Sequence, residues 1–180
     1  MQVKSEGRVV SITRRQFVGG CALAAGAAAA GCTSHNGDFS FLTPDEAVTL
    51  AALCDQIIPA DDYPSASQAG VVRYIDLQLT RPYRRHQDAF RAGLAQAESF
   101  SVRRFGAAVV TSSPEQQLAT VRMLEQQNRR FFELLRKTTM EGYYGSPRHG
   151  GNRDAVSWRM LGLNEPPVRG RARYTFPEKP

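Results

Sequence analysis

Thr43-Pro44-Asp45-Glu46-Ala47-Val48-Thr49-Leu50-Ala51-Ala52-Leu53-Cys54-Asp55-Gln56-Ile57-Ile58-Pro59 is the stretch on which the fold class turns. Thr43 offers an N-cap hydroxyl, Pro44 suits the first helical position, where no N–H is needed, and Glu46 completes a capping box. Ala47, Leu50, Leu53, Cys54, Ile57 and Ile58 follow at steps of three and four, so one face of the predicted helix is apolar. Pro59, with its fixed φ and no donor, ends it. Cys54 lies on the stripe with no basic neighbour in sequence, which predicts a buried, unreactive thiol.

Working outward, the polar stretch Ala60-Asp61-Asp62-Tyr63-Pro64-Ser65 reads as a solvated turn, since it lacks the alternating oxygen ligands and distal Glu of a calcium loop. Val71, Val72, Ile75, Leu77 and Leu79 mark a second helix running through Tyr74 and Asp76. Tyr83 through Phe105 carries Phe90, Leu94, Ala97, Phe100 and Val102 at helical spacing, a long amphipathic third helix. Ser113-Pro114-Glu115-Gln116 repeats the capping box, and Leu118, Val121, Leu124, Asn128, Phe131, Phe132, Leu134 and Leu135 extend a single fourth helix. No alternating run of strand length competes. The expected fold is all-α, a compact bundle of four to five helices with a loop-rich C-terminal third, covering residues 42–165.

The 180-residue chain has room for one such domain, and its net charge of +6 is a poor guide to partners. Lys4, Arg8, Arg14 and Arg15 against Glu6 place +3 of that charge ahead of residue 32. The remaining basic residues are scattered as Arg84-Arg85, Arg103-Arg104, Arg129-Arg130 and Arg169, Arg171, Arg173, without the basic face interleaved with aromatics that nucleic acid requires. The three cysteines, Cys21, Cys32 and Cys54, form no CxxC and no Cys/His spacing, so neither a disulfide framework nor a protein-built metal site is expected.

The leader has its own order. Thr13-Arg14-Arg15-Gln16-Phe17 precedes Val18 to Ala30, thirteen uncharged small or apolar residues, which is the outline of a signal peptide over residues 1–31. At 1.5 Å per residue such a run is too short for a hydrocarbon core of about 30 Å. Its weak hydrophobicity behind paired arginines resembles the twin-arginine class, with Arg14, Arg15 and Phe17 as the signal read by a translocase that takes folded cargo. Ala28-Ala29-Ala30 fits an ordinary cleavage site. Ala29-Ala30-Gly31-Cys32 equally resembles a lipobox with Ala29 where Leu is usual, in which Cys32 would be lipidated and hold the protein to a membrane surface. Either way the expected destination is the periplasm, with residues 32–41 as a flexible tether.

Between Met140 and Leu163, glycines, aromatics and charges are concentrated. Tyr143, Tyr144, Trp158 and Arg153 are residue types enriched at protein interfaces, and Gly150-Gly151-Asn152 permits close backbone approach. A local explanation also stands: Gly145-Ser146-Pro147 as a turn, Asn152-Arg153-Asp154 as a polar helix start, and Val156, Trp158, Met160 and Leu161 on the core face of a short last helix. Glu141, His149 and Asp154 are potential acids or bases, yet there is no Ser/His/Asp or Cys/His signature and no glycine fingerprint after a strand. No catalytic, cofactor-binding or metal residues are expected in this chain.

These blocks carry a resemblance. Leu42-Thr43-Pro44-Asp45-Glu46 with Ile57-Ile58-Pro59-Ala60-Asp61-Asp62, Ala69-Gly70-Val71 with Tyr74-Ile75-Asp76, Glu141-Gly142-Tyr143-Tyr144-Gly145 leading to Gly150-Gly151-Asn152-Arg153-Asp154, and Trp158-Arg159-Met160-Leu161-Gly162 resemble the gluconate 2-dehydrogenase subunit 3 family, as does the arginine-pair leader. The resemblance implies a small accessory subunit rather than an enzyme. Its implied partners are a large FAD-containing subunit of the glucose-methanol-choline type and, in many complexes, a cytochrome c subunit. The flavin and the chemistry would lie in the partner. The interface is expected at Glu141, Tyr143, Tyr144, Gly151, Asn152, Arg153, Asp154 and Trp158, and the Pro/Arg-rich residues 166–180 read as an extended tail. The alternative is an autonomous periplasmic lipoprotein with a binding role.

Overall fold

The structure, a computed structural model, describes residues 39–163. The twin-arginine signal with Arg14, Arg15 and Phe17, the lipidation position Cys32, most of the tether and the tail 166–180 lie outside the described residues. Six α-helices follow in order: α1 (Pro44–Ile57), α2 (Val71–Leu79), α3 (Gln87–Phe105), α4 (Pro114–Gln127), α5 (Arg129–Tyr144) and α6 (Val156–Met160). Short 3-10 turns stand between them, and no strand occurs among the described residues.

Local chemistry sets the helix ends. The Thr43 hydroxyl accepts from the Glu46 N–H (3.2 Å) while the Glu46 carboxylate accepts from the Thr43 N–H (2.9 Å), and Ser113 and Gln116 repeat the exchange at α4. Each such cap is worth about 1 kcal/mol. α3 stops at Gly106, whose φ of +72° suits a residue without Cβ.

α1 is the central element and packs on α2, α3, α4 and α5. Its stripe closes a core with Ile75 and Leu79 of α2, Phe90, Leu94 and Ala97 of α3, Leu124 of α4, and Phe131 and Leu135 of α5. Burying each Leu, Ile or Phe stabilises by roughly 1.5–3 kcal/mol relative to leaving it in water. Phe90 and Phe131 meet edge to face at 5.7 Å, and a Cβ at Gly93 would collide with the Phe131 ring, so α3 and α5 approach closely there. Cys54 is fully buried beside Thr139 (Sγ to Oγ1 3.2 Å), and burial pushes its thiol up to about 12.

The expected single fourth helix is two. Asn128 breaks it with φ −141° and ψ 59°; its side chain accepts from the Phe131 N–H (3.2 Å) and donates to Gln96 (2.6 Å), so it starts α5 instead of sitting within a stripe. This break and the short α6 bring the count to six rather than four to five. Val102, expected on the apolar face of the third helix, is 52% exposed, because two residues on from buried Phe100 is about 200° around an α-helix, on its opposite face. That helix begins at Gln87, after a 3-10 turn at Arg84–His86, rather than at Tyr83. α5 runs on to Tyr144, so the irregular part of the C-terminal third is confined to residues 145–155 and 161–163.

Asp76 fixes the way the chain comes into the bundle. The side chain is buried in α2 and accepts three consecutive backbone N–H groups, from Ser40 (2.7 Å), Phe41 (2.9 Å) and Leu42 (2.9 Å). A buried carboxylate is tolerated because charge-assisted bonds replace its hydration. The last residues of the expected tether, Ser40 and Phe41, are thereby held to the fold.

Candidate docking surface

After α5 the chain doubles back against its own last turns. Tyr143 is buried, and its phenol donates to the Pro64 carbonyl at 2.8 Å. Gly151 crosses directly over Gly142: a Cβ on Gly151 would collide with the Gly142 carbonyl oxygen, and one on Gly142 would lie 2.8 Å from the Tyr74 ring. The Arg153 N–H then donates to the Ala69 carbonyl (2.9 Å), tying this return to the residues just ahead of α2. At the end of it the Trp158 indole donates to the Tyr144 carbonyl (2.9 Å).

Asn152 is the pivot of this clip. It is fully buried, sits at φ +44°, donates from Nδ2 to the Gly145 carbonyl (2.8 Å) and accepts at Oδ1 from the Ser157 N–H (2.9 Å). Asp154 (φ +56°) and Ala155 (φ +52°) are also left-handed. Asn and Asp tolerate that region, whereas Ala there costs roughly 1–2 kcal/mol. Strain of this kind persists only where the surroundings over-determine the backbone, as five hydrogen bonds, three of them long-range, and a glycine crossing do here.

Glu141 lies on the other flank. It accepts from the Tyr83 phenol (2.9 Å) and the Tyr74 phenol (3.4 Å) and pairs with Lys137 at 3.8 Å. Burial first, and the adjoining Glu141 charge second, raise the Tyr74 phenol above its ordinary range; burial and the hydrogen bond to Glu141 do the same at Tyr83. Both phenols therefore remain protonated donors that hold α2 and the 83–86 turn to α5.

The residues expected at an interface thus divide. Tyr143, Gly151, Asn152 and Trp158 are spent inside the chain, Glu141 is half-buried in its tyrosine pair, and Tyr144, Arg153 and Asp154 face outward. Tyr144 does not stand alone. With Met140 of α5, Met160 of α6 and Ile57, Ile58 and Pro59 at the end of α1 it lines a surface hollow of about 320 Å3, edged by Asp61. Met140 and Tyr144 are 39% and 37% exposed, large values for such side chains, and Leu161 and Leu163 beyond α6 are each 55% exposed. Met140, Met160 and the Ile57-Ile58-Pro59 corner are what sequence reasoning left out of the surface. Their signal was the Ile-Ile-Pro run that ends a helix while still apolar, which reads equally well as core.

Among the described residues no group of His, Cys, Asp and Glu is arranged to hold a metal, and no helix is long and apolar enough to cross a membrane. The chemistry available is that of a surface with an apolar centre, with rigid backbone behind it. The family profile of gluconate 2-dehydrogenase subunit 3 matches residues 44–164, from the first residue of α1 to just past the clip. The chain belongs to the gluconate 2-dehydrogenase subunit 3 family. No curated protein and no solved structure matches it in addition. The subunit 3 match includes every helix described above, and the clip with its Gly142–Gly151 crossing is part of the matched span.

Proposed function

We propose that this subunit 3 chain is the small, non-catalytic partner of a FAD-dependent sugar or sugar-acid dehydrogenase, supporting folded export, assembly and stability of the large flavoprotein subunit. The observation that carries this reading is the family match over residues 44–164. In it, flavin and catalytic residues belong to a large subunit of the glucose-methanol-choline type, and a cytochrome c subunit carries electrons onward. The Arg14-Arg15 leader addresses the twin-arginine translocase, whose acceptance of folded cargo lets a flavin-loaded partner cross with this chain. The complex would then reside in the periplasm, held at the membrane where Cys32 is lipidated. The hollow around Met140, Tyr144 and Met160 is the face we assign to the flavoprotein, because Met and Tyr are enriched at interface centres and the backbone behind them is already fixed.

The test is gentle isolation of the tagged protein from the periplasm, recording flavin absorbance and the mass of any companion chain. A stoichiometric flavoprotein is expected, lost from the periplasm when Arg14 and Arg15 become Lys. Met140→Asp should lower the co-purified flavin by about tenfold or more while leaving the melting temperature of the isolated chain unchanged. A colourless chain that purifies alone would sink the reading in favour of a free-standing periplasmic lipoprotein.

A further inference from the structure

The fold brings together cations that the sequence keeps apart. Arg85 and His86, from the turn before α3, and Arg130, from the first turn of α5, line one surface hollow of about 430 Å3 whose floor includes Phe131 and Leu134. Among the described residues, neither Arg85 nor Arg130 has a carboxylate partner within 4.0 Å, which is also true of most other arginines; what sets these two apart is that they share one hollow. Asp88 is the one carboxylate in the hollow, so two guanidinium groups face it with charge to spare. The Arg85 Nε donates to His86 Nε2 (3.2 Å), which leaves Nδ1 of the neutral ring as a third donor. Partial burial, then Arg85, Lys137 and Arg130, hold the His86 imidazole below its ordinary range, so the ring feels all three cations at once.

Uncompensated guanidinium groups, a neutral imidazole donor and an apolar floor are a set that suits an oxyanion attached to something less polar. Guanidinium forks match phosphate oxygens two at a time, and their weak hydration lets them give up water at modest cost. We propose that this hollow binds a phosphate group, supplied either as free phosphate or as the headgroup of an anionic phospholipid. The site is separate from the Met140–Tyr144 hollow and stands whether or not a flavoprotein docks there.

Two readouts on the full chain test it. In the first, inorganic phosphate is titrated while the histidine ring resonances are followed; His86 is expected to shift and to titrate at higher pH with phosphate bound, with His35 and His149 unmoved. In the second, the chain is sedimented with phosphatidylglycerol vesicles, with phosphatidylcholine vesicles to measure charge-independent binding and R85Q/R130Q to measure binding by basic residues elsewhere in the chain. The double variant R85Q/R130Q, altered only at exposed side chains, should keep its melting temperature and weaken binding by roughly tenfold or more. A response to both probes assigns the site to phosphate as such, and one to vesicles alone assigns it to the lipid headgroup. Equal shifts at all three histidines, no response to either probe, or unchanged binding in R85Q/R130Q each overturn the proposal. Should R85Q/R130Q melt early, R130Q alone carries the comparison, and the His86 shift in the unaltered chain stands independently.

Discussion

Cys54 is the residue whose behaviour the structure constrains most tightly. It is wholly enclosed between α1 and α5, and its thiol is held near 12, far above the ordinary 9.0. Alkylation in the native chain at pH about 8 should leave the Cys54 peptide unlabelled, with labelling appearing only in denaturant. Native-state labelling, read by peptide mapping, would contradict the packing. Asn152 makes a second sharp case. Asn152→Ala removes both side-chain bonds, strands the Gly145 carbonyl and the Ser157 N–H, and places an alanine at φ +44°. A loss of about 3 kcal/mol in unfolding free energy is expected from denaturant titration. A loss below about 1 kcal/mol would mean that the clip is not held as described.

Elements differ in how much of them the sequence discloses. The starts of α1 and α4 are legible because capping boxes are local, and Thr43 and Ser113 need only partners three residues on. Asn128 looks like one more polar residue on a helix, since what makes it a break is a partner on α3, Gln96. Asp76 is equally opaque: its three bonds run to residues more than thirty positions earlier. The aromatic block at 141–158 announces itself in sequence, but its division into buried anchors and exposed face follows from the glycine crossing, which no periodicity encodes. That crossing is testable as a unit. Gly151→Ala should cost about 1–3 kcal/mol through overpacking against the Gly142 carbonyl. Hydrogen exchange at the Arg153 and Ser157 amides should accelerate selectively, and unchanged protection there would show that the two backbones have room to spare.

For the molecule as a whole, alkali is the condition to which this packing is most exposed. Cys54, Tyr74, Tyr83 and Tyr143 all hold their protons more tightly in the fold than their ordinary values of 9.0 and 10.0 allow. Above pH about 9 the unfolded chain therefore binds fewer protons than the native one, and stability falls as pH rises. The contribution is complete below 9.0 and declines toward about 12. Denaturant midpoints measured from pH about 8 to about 11 should drop steadily, with a shallower slope in Tyr83→Phe; a flat profile would refute the shared burial. The Asp76 clamp bears on a different stress. A pull on the chain ahead of residue 40 would reach the middle of α2 through three hydrogen bonds to one carboxylate. Those three bonds tie residues 40–42 to α2, so the chain entering α1 is anchored to a second helix before α1 begins.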